Sequence, residues 1–161
     1  MPRLDNHLIG DISDKLSIIG DLFKTCDQFG ACEQGQNPLE PLFAELWPYI
    51  IKILGTFVLV DDIVETCCRL IKHSMRALGQ GFTQYLNTFL KKAMEGYQQN
   101  SIGSFVYTVE FCLTQYGRDP EFSALFKEVF EYICRTTEQI LASQQNCERN
   151  PELVNDFFGL C

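Results

Sequence analysis

The sequence predicts an all-α fold, a solenoid of antiparallel helical hairpins, on three observations. Apolar residues recur with helical period in almost every segment, and no alternating strand pattern stands out. Gly, Pro and short polar runs punctuate the chain where those periodic segments end. Alternate helices open near positions 12, 61, 101 and 151, close to the ~40–47-residue period of HEAT and armadillo repeats. A single hairpin of this kind cannot bury its apolar face alone, so neighbours stack into a continuous core. A compact bundle is the alternative. The short connections within hairpins, and Phe157-Phe158 left unprotected on the last helix, favour the solenoid.

Seven helices are expected. The first spans about 12–27, with Leu16, Ile19, Phe23 and Cys26 as its apolar stripe. A polar loop follows over 28–37, with glycines at 30 and 35. The second opens at Pro38, a good first-turn residue, and reaches Leu54. Leu42, Phe43, Leu46, Trp47 and Ile50 line one side, and Pro48 is expected to kink it. The third spans 61–78, between Asp61-Asp62 at the positive end of its dipole and Gly79 as cap. The fourth covers 83–98 and the fifth 101–116, stopping at Gly117. The sixth opens after Asp119-Pro120 and reaches about Ser143, with Phe122, Phe126, Val129, Phe130, Ile133 and Ile140 inward. The seventh begins after Asn150-Pro151. The hairpins are then 38–79, 83–117 and 120–161, with an orphan helix at 12–27, about three and a half repeats in one segment. The unpaired first helix and the cut last one suggest a piece of a longer chain.

Composition narrows the function classes. Apolar content of 46% supports a real core and excludes disorder. The net charge of −8 argues against general nucleic-acid binding, which needs a surplus of Lys and Arg, and suits basic protein partners. The most apolar stretch, 42–60, carries Glu45, Pro48, Lys52 and Gly55 and makes a poor membrane span. The eight cysteines follow no leader peptide, and several fall in apolar helical phase, so free thiols are expected.

The sharpest local feature is on the third helix. Val64, Cys67, Cys68, Ile71, Met75 and Leu78 share one face; Arg69, Lys72, His73 and Arg76 share another, at i, i+3, i+4 and i+7. No acidic residue occurs between Glu65 and Glu95, an interval holding Arg69, Lys72, Arg76, Lys91 and Lys92. A basic stripe in an acidic protein suggests a docking place for an acidic or phosphorylated segment, because guanidinium pairs bidentately with carboxylate and phosphate. The plainer reading is a solvated face with Glu65 pairing Arg69. Acidic positions on the fifth and sixth helices, Glu110 with Glu121, Glu128, Glu131 and Glu138, would attract basic cargo.

No enzyme is expected. A Cys67 or Cys68 nucleophile with His73 as base fails on helical phase, since the cysteines and His73 point apart. No cofactor or metal is expected: there is no C-x-x-C pair, His7 and His73 are the only histidines, and Cys26 and Cys32 flank a loop at a spacing no common zinc site uses. Gly79-Gln80-Gly81 lies between helices and reads as a cap and turn rather than a phosphate loop.

Three segments carry a family resemblance: Glu45-Leu46-Trp47-Pro48; Asp62-Ile63-Val64-Glu65-Thr66-Cys67-Cys68-Arg69-Leu70; and Asn150-Pro151-Glu152-Leu153-Val154-Asn155-Asp156-Phe157-Phe158. Together they resemble the middle-to-C-terminal part of the transportin-3 branch of the importin-β (karyopherin) superfamily, and importin-13 more loosely. The resemblance implies a HEAT-repeat receptor that shuttles between nucleus and cytoplasm. It implies import of arginine/serine-rich or RNA-binding protein cargo, with Ran-GTP and nuclear pore proteins engaged through the full-length receptor. It also implies that the second helix of each hairpin, here the first, third, fifth and seventh helices, lines the inner surface, so Glu110 faces inward. A helical scaffold outside nuclear transport and an independent small helical domain are the competing classes.

Overall fold

The computed structural model describes residues 5–26 and 37–161, and all regular structure within them is helical. Of the expected loop over 28–37, residues 28–36, with Cys32, lie outside the described residues, as does Asp27 at the expected end of the first helix. The chain divides into two compact units, Met1–Thr83 and Gln84–Cys161.

The first unit holds α1 (Asn6–Thr25), α2 (Leu39–Thr56) and α3 (Asp61–Leu78), followed by a 3-10 turn at Gly79–Phe82. α1 starts six residues earlier than its apolar stripe indicates, because Asp5 caps it, its carboxylate accepting from the His7 N–H at 3.0 Å. α2 runs unbroken through Pro48. Its buried residues are Leu39, Phe43, Ile50 and Leu54, whereas Leu42, expected inside, is exposed. α3 is the centre of the unit, with eleven buried residues that include Cys67 and Cys68. Gly79 ends it at φ 54, where a Cβ would be strained.

The packing directions fit stacked hairpins. α2 and α3 are antiparallel: Asn37, at the start of α2, donates to the Ala77 carbonyl at the end of α3 at 2.7 Å and accepts from the Leu39 N–H at 3.0 Å. α1 and α3 are parallel. Ser13 meets Thr66 at 3.0 Å, Gly20 lies over Leu70, and Asp21 and Lys24 act on His73, so both helices advance together. Parallel neighbours separated in sequence by an antiparallel helix are what one repeat stacked on the next produces. Phe23, Phe43, Trp47 and Phe82 tie α1, α2 and the turn together, with ring centroids 5.6–6.0 Å apart.

The second unit contains α4 (Thr83–Gln99), α5 (Gly103–Tyr116), a 3-10 turn (Pro120–Phe122), α6 (Ser123–Ile140), α7 (Gln144–Arg149) and α8 (Pro151–Leu160). α6 ends three residues short of the expected Ser143, and α7 is a six-residue helix the periodicity did not indicate. Ser143 caps α7 by accepting from the Asn146 N–H at 3.2 Å. α4 and α5 close a hairpin in which Gly96 admits the Phe105 ring. α5 and α8 run parallel: the Asp156 side chain lies over Gly103, and Glu110 lies beside Gly159. Tyr97 and Thr137 join α4 to α6 through a buried hydrogen bond of 2.7 Å.

Corresponding helices thus open at Leu39, Thr83 and Ser123, and at Asp61, Gly103 and Pro151. Those spacings, about 40–48 residues, are of HEAT length rather than the ~34 of a tetratricopeptide repeat. The fold class is all-α, of the HEAT-repeat solenoid type.

Candidate functional site

The α3 stripe is a product of α3's own amphipathicity. Burying Ile63, Val64, Cys67, Leu70, Ile71 and Met75 forces Arg69 and Arg76 outward, with Lys72 and His73 half-buried between them. Arg69 pairs with Glu65 one turn back; at 56% and 51% exposure the bond is screened and contributes little to stability. The expected pairing of Glu65 with Arg69 is thus present on an exposed face of α3.

The parallel helix α1 adds residues that sequence reasoning did not single out. Asp14, Ser17, Asp21 and Lys24 recur at i, i+3, i+7 and i+10, one face of α1, a polar stripe that could have been found by the same helical count. A groove of about 660 Å³ runs between α1 and α3, lined among others by Ser13, Asp14, Ser17, Asp62, Glu65 and Arg69. A smaller cavity of about 110 Å³ shares Ser17, Thr66 and Arg69 with it and extends to Asp21 and His73. The Nδ1 of His73 is buried with no hydrogen-bond partner. Burial holds the imidazole below its ordinary pKa, the charges of Lys24, Arg76 and Lys72 add to that, and Asp21 opposes it.

Glu110 is on a different helix pair. Half-buried on α5, its carboxylate reaches 3.3 Å from where a Cβ on Gly159 of α8 would sit. Asp156, on the same pair, has its carboxyl raised in pKa by burial, with Glu152 adding to the rise. The α5–α8 seam is acidic; Glu121, Glu128, Glu131 and Glu138 are exposed on or next to α6.

Nothing in this arrangement resembles a catalytic constellation. Cys67 is fully buried, and burial pushes its thiol far above the range where a thiolate forms. Among the described residues no cluster of three or more His, Cys, Asp or Glu is placed to hold a metal ion, and no helix is long and apolar enough to cross a membrane.

Residues 37–141, well over half of the chain, match the transportin-3/importin-13 fourth TPR domain. The chain belongs to the transportin-3/importin-13 family. The matched span opens at Asn37, the residue that ties α2 to α3, and contains the whole α3 stripe. Two relatives are more distant. An uncharacterized Schizosaccharomyces pombe protein is 22% identical over 128 residues, covering 77% of this chain and 13% of its own. Transportin MOS14 of Arabidopsis thaliana is 25% identical over 97 residues, covering 60% of this chain and 10% of its own. The chain thus spans about a tenth of the length of these curated relatives.

Proposed function

We propose that this chain is a cargo-recognition segment of a nuclear import receptor, and that the α3 stripe of Arg69, Lys72, His73 and Arg76 is its contact for anionic groups on the cargo. The observation that carries the reading is the basic face of α3, where Lys72 and Arg76 stand with Lys24 of α1 around His73 and Arg69 lies one turn back, inside a domain matched to the transportin-3/importin-13 family. Arginine/serine-rich and RNA-binding proteins are the proposed cargo. Their arginines suit the acidic surplus, including Glu110, and phosphorylated serines suit the stripe. No direct nucleic-acid or membrane contact is part of the reading.

The division into hairpins at 38–79, 83–117 and 120–161 belongs to the same proposal, as does the inward orientation of α1, α3, α5 and α8. Parallel pairing of α1 with α3 and of α5 with α8 supports it. Ran-GTP and pore proteins act through the full-length receptor, which shuttles between nucleus and cytoplasm. Ran-GTP lowers cargo affinity by favouring a second state of the repeats, a coupling between separate sites.

The test is a pull-down from lysate with the full-length receptor, with and without Ran locked in its GTP form. Recovery of arginine/serine-rich proteins that disappear when Ran-GTP is added is the expected result. A partner set without such proteins and indifferent to Ran would instead place the chain among helical scaffolds outside nuclear transport.

A further inference from the structure

α1 carries more apolar surface than the first unit covers. Leu16, Gly20 and Phe23 are buried, Gly20 against Leu70 of α3. A second face of the same helix is open. Of the seven large apolar residues exposed among the described residues, three stand on it: Leu8, Ile18 and Leu22, at 46%, 69% and 46%. With Asp11 and Lys15 they occupy positions 8, 11, 15, 18 and 22, an alternating spacing of three and four. That is the a/d pattern of a coiled-coil seam, two heptads long. Ile12 and Ile19, half-buried, follow Asp11 and Ile18 and widen the stripe.

The two charges at the middle of the seam decide what can cover it. Asp11 and Lys15 pair with each other at 2.6 Å, with side chains 49% and 69% exposed. A wholly apolar partner helix would strip water from this pair and offer it nothing in return. A second copy lying parallel and in register would set Asp11 against Asp11 and Lys15 against Lys15. A second copy lying antiparallel sets each a position of one helix against a d position of the other. Leu8 then meets Ile18 of the partner copy, and Asp11 meets Lys15, twice over by symmetry. Every such layer is apolar on apolar or opposite in charge, and the charged layers fix the register.

We propose that α1 is a self-association surface, pairing antiparallel with α1 of a second copy of this chain through Leu8, Asp11, Lys15 and Ile18. The seam from Leu8 to Leu22 is about 21 Å long. That is short for a stable dimer, so the pairing is weak and depends on protein concentration. It is independent of the cargo reading, which rests on the basic face of α3.

Sedimentation of the full chain over a range of concentrations tests it. The wild type passes from monomer to dimer as concentration rises. Ile18→Glu, at the most exposed apolar position of α1, weakens the dimer about tenfold or more. The charge variants read the register. Asp11→Lys alone, and Lys15→Asp alone, set like charges across the seam and weaken self-association about two- to tenfold. Mixing the two variants restores opposite charges in each charged layer and brings association back to the wild-type level. Circular dichroism stays unchanged in all three, because these positions are exposed. A wild type that remains monomeric up to about 1 mM overturns the proposal. So does a dimer indifferent to Ile18→Glu, or a pair of charge variants that associate no better together than apart. Hydrogen-exchange protection of α1 that arises only in the full-length receptor would give this face to another helix of that receptor, and self-pairing would again be wrong.

Discussion

His73 shows how a residue in plain view in the sequence acquires its properties from the fold. Its place on the basic face follows from counting along α3. Its Nδ1 is buried without a partner, and its pKa is lowered first by that burial and then by the charges of Lys24, some fifty residues away in sequence, Arg76 and Lys72. In the unfolded chain the imidazole takes a proton near its ordinary value of about 6.5. In the folded protein it resists that proton. The unfolded state therefore binds more protons between the folded pKa and 6.5, and stability falls as pH drops through that window; above it His73 has no effect. Thermal midpoints at about pH 7.5 and about pH 5.5 should show a larger drop for the wild type than for His73→Gln. Equal drops would remove His73 from the account. Gly79 offers a residue-scale contrast that was legible from sequence. Its position after the α3 stripe predicted a cap, and φ 54 bears that out. Gly79→Ala should cost about 1–3 kcal/mol in urea unfolding.

At the scale of helices, two glycines that look alike in sequence have opposite roles. Gly20 sits in α1 and Gly96 in α4, both inside apolar helical phase. A Cβ on Gly20 would meet Leu70 at 3.7 Å, an ordinary contact. Gly20→Ala should thus gain most of the helix preference of alanine, about 0.5–1 kcal/mol. A Cβ on Gly96 would come 2.5 Å from the buried Phe105 ring. There the clash outweighs the preference, and Gly96→Ala should lose about 1–3 kcal/mol. Two denaturant titrations decide it; the same sign for both would mean the α1–α3 and α4–α5 approaches are not as described. The existence of α7 was not legible from periodicity, because Ser143 sets its start by capping and its short polar stretch carries no apolar stripe. The start of α1 was legible in part: Ile9 stands in phase with Ile12, Leu16 and Ile19, and Asp5 sets the boundary by capping. The third, fifth and sixth helices were legible because each buries a face wide enough to impose its period.

At the scale of the whole molecule, the charge of −8 and the basic stripe act at different ranges. Net charge governs the approach of a partner over a Debye length or more, and local pairs govern what is held. The association rate of an arginine-rich partner should fall as salt rises, with the dissociation rate less affected; stopped-flow mixing measures both. A salt-independent association rate would deny the acidic surplus any steering role. The family was legible from three short segments. The candidate site was half legible: α3's stripe lies in one helix and can be counted, whereas the α1 wall needs the parallel pairing of α1 with α3. Glu110 was named for its inward helix, and its contact with Gly159 depends on the pairing of α5 with α8 in the same way.

The most direct test of the cargo-recognition reading is charge reversal at Arg69, Lys72 and Arg76 together in the full-length receptor. Affinity for a phosphorylated arginine/serine-rich peptide should fall by about tenfold or more while the thermal midpoint stays near the wild-type value. Unchanged affinity in a folded triple variant would contradict the account and move the cargo contact away from α3.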